Sequence, residues 1–587
     1  MAFMYPEMPD REEIDYYECM SASYSKANNG SANDVVVVKE LIHFKDGRPP
    51  LPWLRLIKNY QRDFYVTLDK YRTHKDKRPW APLSQVRKFT CAQHELHNKV
   101  ARALGNPGMR GSLRQLARSP YLYGADITTP VLVKRGYKDR WPKTPTPAKV
   151  AVYDIETDMN SEEEAIIVAS ITCKEKASMH ITEDFIHNSV LSDEDKANFI
   201  HLVRLKAEEL LGDVLKRRGI DPMTMHIERH ELPAQVVQGC FKAAHEWQPD
   251  YVTIFNMVFD IPKSVQALKD SGYDPSDVFC DPRVPREFRN FVWDQGDATK
   301  VKKDGGKNTV YPINPIDQWH TCKTQASFVI CDSMLLYKRI RTALPNEPEY
   351  SLDYLLRKHK LQPKLKFMEA DGFIKKEWHA FMQKYFPVEY CIYNLYDDIG
   401  VEELDEATKD ISMSLGALLK SSEYRNYDSQ PKMIADDLHF FGLKRGNIIG
   451  TTSDQMLTEI DDFSPGLRDW IVTLPAYMGP EADVDLVSDM EGHQPLLHTH
   501  VSDIDVVSTY PKLQDMLNID KATTVTELSS VDGMEQEQWR FIGIDLTGGY
   551  VNHTMICQQL LQLPNTRQVL ELFDKDYPDG YKEEPEA

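Results

Sequence analysis

The run Lys149-Val-Ala-Val-Tyr-Asp154-Ile-Glu156-Thr157 constrains the chain more than any other stretch. Its short β-branched apolar start asks for an extended strand, on which side chains alternate, so Asp154 and Glu156 leave the backbone on the same side. Two acids so placed can hold a metal ion. The spacing alone carries little weight, because 90 Asp and Glu in 587 residues produce acid-x-acid roughly fourteen times by chance. Its meaning comes from the segments that follow.

A chain of 587 residues has room for several domains. Residues 1–148 read as a mixed, strand-containing domain. Val35–Val38 and Asp63–Leu68 are strand-like, and helical spacing appears over Ala92–Leu104 and Leu113–Ala117 around the turn Gly105–Gly108. The Pro-rich Trp141–Pro147 then reads as a linker. From residue 149 strands and helices alternate: Ile166–Ile171 as a sheet partner, Asp193–Arg218 and Leu232–Trp247 as helices, and Tyr251–Ile261 as an apolar strand ending in Asn256 and Asp260. That alternation predicts an α/β unit, whose strand ends bring acids to one edge. Asp297–Pro312 predicts a hairpin turning at Gly305-Gly306, with lysines that make a basic finger. Ser351–His359 and Tyr393–Leu404 predict helices, the second placing Tyr393 and Asp397 on one face. Asp398 lies about 100° further round and reads as a surface acid.

A mean hydropathy of −0.49 and 41% hydrophobic residues predict a soluble globular protein. No apolar run is long enough to span a bilayer and no signal peptide opens the chain, so the expectation is cytoplasmic, with no membrane partner. Nine scattered Cys without a CxxC pair predict reduced thiols, neither a disulfide framework nor a zinc site of that kind. The net charge of −20 argues against a polyanionic partner until its distribution is considered. Lys39–Lys149 holds 24 Lys and Arg against 8 Asp and Glu, a local +16 that leaves the remainder at −36. Such asymmetry marks a nucleic-acid-facing region on an otherwise acidic protein.

Asp154, Glu156, Asp260 and Asp397 together offer four carboxylates. Oxygen ligands in that number suit two Mg²⁺ or Mn²⁺ ions, since zinc prefers nitrogen and sulfur. Two such ions about 4 Å apart serve in-line phosphodiester hydrolysis, and Tyr393 would orient the attacking water.

In order and context these segments resemble the three motifs of the DEDD (DnaQ-like) 3′→5′ exonucleases, in the Tyr-containing subclass found in family B DNA polymerases. Asp154-Ile-Glu156-Thr157 matches the first, Asn256 through Asp260, including Phe259, the second, and Tyr393-x-x-x-Asp397 the third. The second motif has one residue fewer between Asn and Asp than in many family B enzymes. Further on, Asp503-Ile-Asp505-Val-Val-Ser508-Thr-Tyr510-Pro511 resembles polymerase motif A of the palm, and Tyr477-Met-Gly479 resembles the Y-x-G segment that precedes it. The resemblance implies Asp505 as a polymerase metal ligand, with Ser508 and Tyr510 at the nucleotide and Tyr510 excluding a ribose 2′-hydroxyl. The layout is most similar to T4-type phage replicative polymerases. It implies an RNase H-like exonuclease domain at 149–410, a basic N-terminal domain at 1–148, a return segment at 411–475 and a partial palm at 476–587.

Motif B and motif C of that family are missing from the 76 residues after Pro511. Half a polymerase site implies the N-terminal subunit of a split enzyme, active in proofreading and completed by a second chain. Mg²⁺ would enter the polymerase site only with that partner. Implied partners are primer-template DNA, a single-stranded 3′ end, the second polymerase chain, a sliding clamp and other replisome proteins. Two alternatives stay open: a free-standing 3′→5′ DNA exonuclease, and a nonenzymatic DNA-binding scaffold of a replisome.

Overall fold

In the computed structural model, which describes residues 7–450 apart from 76, 108–111, 221, 305–306 and 417–421, together with the short strands Gly543–Asp545 and Tyr550–Asn552, the run bearing Asp154 and Glu156 lies inside a six-stranded sheet. Numbered in chain order, its strands are β1 (Val150–Thr157), β2 (Ile166–Cys173), β3 (Lys176–Thr182), β4 (Thr224–His230), β5 (Tyr251–Ile254) and β6 (Val329–Asp332). Across the sheet they run β4-β3-β2-β1-β5-β6. β1, β2 and β3 form an antiparallel meander, while β4 joins β3, and β5 and β6 continue from β1, all in parallel. The chain is a mixed α/β protein.

Helices cover both faces. On one, α2 (Pro233–Trp247) and α3 (Met257–Asp270) pack on Ala151, Tyr153 and Ile155 of β1. On the other, α1 (Phe199–Arg217) and α6 (Pro387–Thr408) pack on Val168, Met179 and Ile181. α4 (Leu352–Lys358) meets Val152 of β1 there, and α5 (Lys376–Tyr385) leads into α6. The odd positions of β1 thus fill one layer and the even ones, Val152, Asp154 and Glu156, face the other.

Two expected elements differ. The helix foreseen over Asp193–Arg218 is two, Asp193–Ala197 and α1, because Asn198 between them leaves helical geometry at φ −93°, ψ 13°. The strand foreseen over Tyr251–Ile261 ends at Ile254, and Asp260 occupies the first turn of α3. There the buried residues Met257, Asp260, Ile261, Ser264 and Leu268 recur with the helical period. The hairpin is present as Thr299–Asp304 paired with Lys307–Pro312.

Residues before the sheet form two three-stranded antiparallel sheets, one of Ile14–Lys26, Asp34–Phe44 and Leu51–Lys58, the other centred on Gln61–Thr67. Trp141–Pro147 carries no regular structure, yet Thr146 bonds the Glu18 carboxylate through its N–H at 2.9 Å and its hydroxyl at 2.6 Å. Beyond α6, Asn447–Ile449 pairs with Trp80–Pro82, returning the chain to its N-terminal region. The basic surplus there is partly internal. Lys39, Arg62, Lys77 and Lys134 are buried and donate to backbone carbonyls, so fewer cations face solvent than the count implies.

The fold separates into two units, Met1–Leu457 and Thr458–Ala587. The Y-x-G segment, Asp503, Asp505, Ser508 and Tyr510 lie outside the described residues. Among the described residues no helix is long and apolar enough to cross a membrane.

Candidate metal centre

The sheet brings the acid-bearing segments to one cavity of about 920 Å³, lined among others by Asp154, Glu156, Asn256, Phe259, Asp260 and Asp397. Asp154, Glu156 and Asp397 each present an oxygen within 4.8 Å of the others. Asp260 enters from α3, and its charge is the strongest electrostatic influence on Asp154. Asn256, with its side chain exposed, precedes the first turn of α3, and Phe259 packs against the adjoining core.

α6 sets the geometry, with Tyr390, Tyr393, Asn394 and Asp397 spaced along the face it turns to β1. Tyr390 donates its hydroxyl to Glu156 Oε2 at 2.5 Å, and Asn394 donates Nδ2 to Asp154 Oδ2 at 2.7 Å. Each carboxylate of the strand is therefore held by its own helix residue. Lys364, in the irregular segment after α4, donates to Asp397 Oδ2 at 2.5 Å and to the Tyr393 hydroxyl at 3.2 Å. Its backbone N–H is in turn fixed by Asp353 Oδ1 at 3.0 Å.

Burial pushes these acids upward. Asp154 is raised well above the usual carboxylate range by desolvation, then by Asp260, Glu156 and Asp397. Glu156 is pushed up to about 7, again chiefly by desolvation, against the bond from Tyr390. Asp260 is likewise raised well above its range, by desolvation and then by Glu156. For Asp397 desolvation raises the pKa while Lys364 opposes it. Like charges gathered out of water are favoured by a cation placed among them. Asp397 Oδ1 is buried without a hydrogen-bond partner among the described residues, which suits a metal ligand. The donors are all oxygen, which fits Mg²⁺ or Mn²⁺.

Asp398 corrects the sequence reading. It is 0% exposed and accepts the Ser170 hydroxyl of β2 at 2.6 Å. α6 is buried almost all round, and Asp398 lines the same cavity as the other acids, its charge among those that raise Asp154. Glu402, one turn on, is held the same way by Thr172 at 2.8 Å.

Lys364, Asn394 and Tyr390 were not singled out from the sequence, although the last two share the helical spacing of Tyr393 and Asp397. Asp332 is a further case. Ending β6, it accepts the Leu335 N–H at 2.8 Å and the Met257 N–H at 3.0 Å, tying the start of α3 to the sheet and so positioning Asp260. An acid closing a short apolar run was its only sequence signal.

Compared with protein-family models and with curated proteins, the chain matches none.

Proposed function

We propose that this chain is a metal-dependent 3′→5′ DNA exonuclease of the DEDD type on an RNase H-like sheet, and that it is part of a family B DNA polymerase. The convergence of Asp154, Glu156 and Asp397 within 4.8 Å, with Asp260 in the same cavity, carries the nuclease reading. An antiparallel meander extended by parallel strands, with the acids on its first strand, fits the fold. The polymerase reading rests on the motif A resemblance of residues 503–511.

Asp154, Glu156, Asp260 and Asp397 would hold two Mg²⁺ or Mn²⁺ ions, which when bound supply a water nucleophilic at neutral pH and positive charge opposite the leaving oxygen. The protein groups do the positioning. Tyr390 and Asn394 fix the carboxylates of β1. Because Lys364 donates to the phenolic oxygen of Tyr393, the phenol's own hydrogen is left to orient a water or a phosphate oxygen. Desolvation, with Asp397, holds that phenol above its ordinary range, so it stays protonated. Lys364 remains an ammonium, desolvation being overcome by Asp397 and Tyr393, and adds positive charge beside the scissile phosphate.

The full chain is tested on a 5′-labelled single strand. Stepwise shortening from the 3′ end with Mg²⁺ or Mn²⁺, absent with chelator and in Asp154→Ala, is the expected result. Equal activity in that variant overturns the site. Primer extension that is lost in Asp505→Ala supports the polymerase reading, and extension unchanged in that variant overturns it.

A further inference from the structure

A second cluster of metal-competent side chains lies at the edge of the same sheet. β4 is an edge strand, and His226, Glu228 and His230 alternate along it on one side. His180 of β3 stands directly opposite Glu228 in the parallel register. His180 Nδ1 is 2.8 Å from His230 Nε2 and 4.0 Å from Glu228 Oε2. Glu228 Oε2 is 3.9 Å from His230 Nε2 and 3.4 Å from His226 Nε2. A tetrahedral zinc ion with bonds of about 2.0–2.1 Å has ligand atoms about 3.3 Å apart, and the three distances among His180, Glu228 and His230 bracket that value.

Two features show that the cluster is built around His180. The ring is 2% exposed and seated against α2 at Gly239, where a Cβ would stand 2.3 Å from it, so glycine there makes room for the imidazole. His180 Nε2 lies 2.9 Å from Ser178 Oγ. With the proton on Nε2 donated to that hydroxyl, the Nδ1 lone pair points at His230 and Glu228, the hydrogen-bonding pattern that orients a metal-ligating histidine.

We propose that His180, Glu228 and His230, whose ligand atoms lie within 4.8 Å of one another, form a zinc site that fastens the edge strand β4 to β3, with the remaining position left to water. Its two nitrogens and one carboxylate oxygen select Zn²⁺ over Mg²⁺, the reverse of the oxygen-only cavity beside β1. It clamps the edge strand immediately before α2.

Tag-free full-length chain carrying Asp154→Asn, which weakens the carboxylate site, is stripped with chelator and titrated with ZnCl₂ by calorimetry, and its melting temperature is followed with and without zinc. One tight equivalent and a rise in melting temperature are expected. Ser178→Ala should weaken binding about 10-fold, and His230→Gln and Glu228→Gln by at least as much. The Glu228 side chain is 53% exposed, so its replacement leaves the fold intact and keeps the test valid if His230→Gln misfolds. Absence of a tight equivalent, or titrations unchanged in both Glu228→Gln and Ser178→Ala, overturns the proposal.

Discussion

β1 and β4 belong to one sheet, and each presents ligand-type side chains at alternate positions, yet the two rows differ in every physical respect that matters to a bound ion. β1 is covered on both faces, so Asp154 and Glu156 are each gripped by a residue of α6 and crowded by further carboxylates. β4 is an edge, and its row grades from the buried His180 partner to the solvent-facing His226. Oxygen donors under mutual repulsion bind hard ions that keep waters and substrate oxygens as ligands. Imidazoles with a hydrogen-bonded orienting group suit an ion that stays. A covered strand can thus hold reactive charge in place, and an edge strand can be fastened by metal where hydrogen bonding runs out.

The sharpest break of this comparison is chemical. Asp154→Ala removes one ligand and should lower mononucleotide release by about 10³-fold or more, while the zinc content of the purified chain stays at the wild-type value. Rate and bound metal measured on the same preparation check both arms. Zinc lost together with activity would mean that the two clusters are one linked system.

Lys364 sharpens the carboxylate side. If it supplies charge to the phosphate and holds the phenol of Tyr393, Lys364→Met should lower the single-turnover rate by about 10²- to 10³-fold with little change in DNA affinity. Lys364→Arg should recover part of that rate. A purely structural role for Lys364 would instead lower the melting temperature and leave the rate of the folded fraction near wild type.

How much of this could be read from the chain divides along the same line. Asp154, Glu156 and Asp397 were legible because local pattern places each one, by alternation on a strand or by helical spacing, whereas Asp260 was read as an acid ending a strand and stands in the first turn of α3. Lys364 was not, since it lies in a segment without periodicity and is aimed by one backbone bond to Asp353. Asp398 was misread because an angular argument assumes that a helix has a wet face, and α6 has none along most of its length. The His226-x-Glu228-x-His230 alternation is plain in the sequence. Its partner His180 becomes visible only through the β3–β4 register. For residues 503–511 the motif reading stands on sequence alone.

The two ends of the sheet should also respond to pH in opposite senses. Burial raises Asp332 of the edge strand β6 from an ordinary 3.8 to about 7 and lowers His180 of β3 from 6.5 to about 3. A raised acid contributes stability that is complete below its unfolded pKa and lost as pH rises through about 7. A depressed histidine contributes stability that is complete above about 6.5 and lost as pH falls. Asp332→Asn cannot ionise, so between about pH 4 and about pH 8 its unfolding free energy should gain on wild type by about 4 kcal/mol, whatever constant offset its altered hydrogen bonds add. Urea titrations of metal-free protein across that range measure the gap, and a gap independent of pH would show that Asp332 is not held out of water.

Tyr393→Phe is the smallest expected effect and discriminates most finely. The phenyl ring keeps its contact with Trp378, their centroids being 5.0 Å apart in the wild type, so only the hydroxyl and its bond from Lys364 are lost. If that hydroxyl orients a water which the carboxylates already place, its removal should cost about 10-fold in rate, or roughly 1.4 kcal/mol of transition-state stabilisation. Released Lys364 can then turn wholly to Asp397, so Mn²⁺ affinity should fall slightly, not rise. A loss as large as that of Asp154→Ala would move Tyr393 from orienting the water to the proton transfer itself. An unchanged rate would leave the carboxylates and Lys364 as the whole of the catalytic apparatus beside β1.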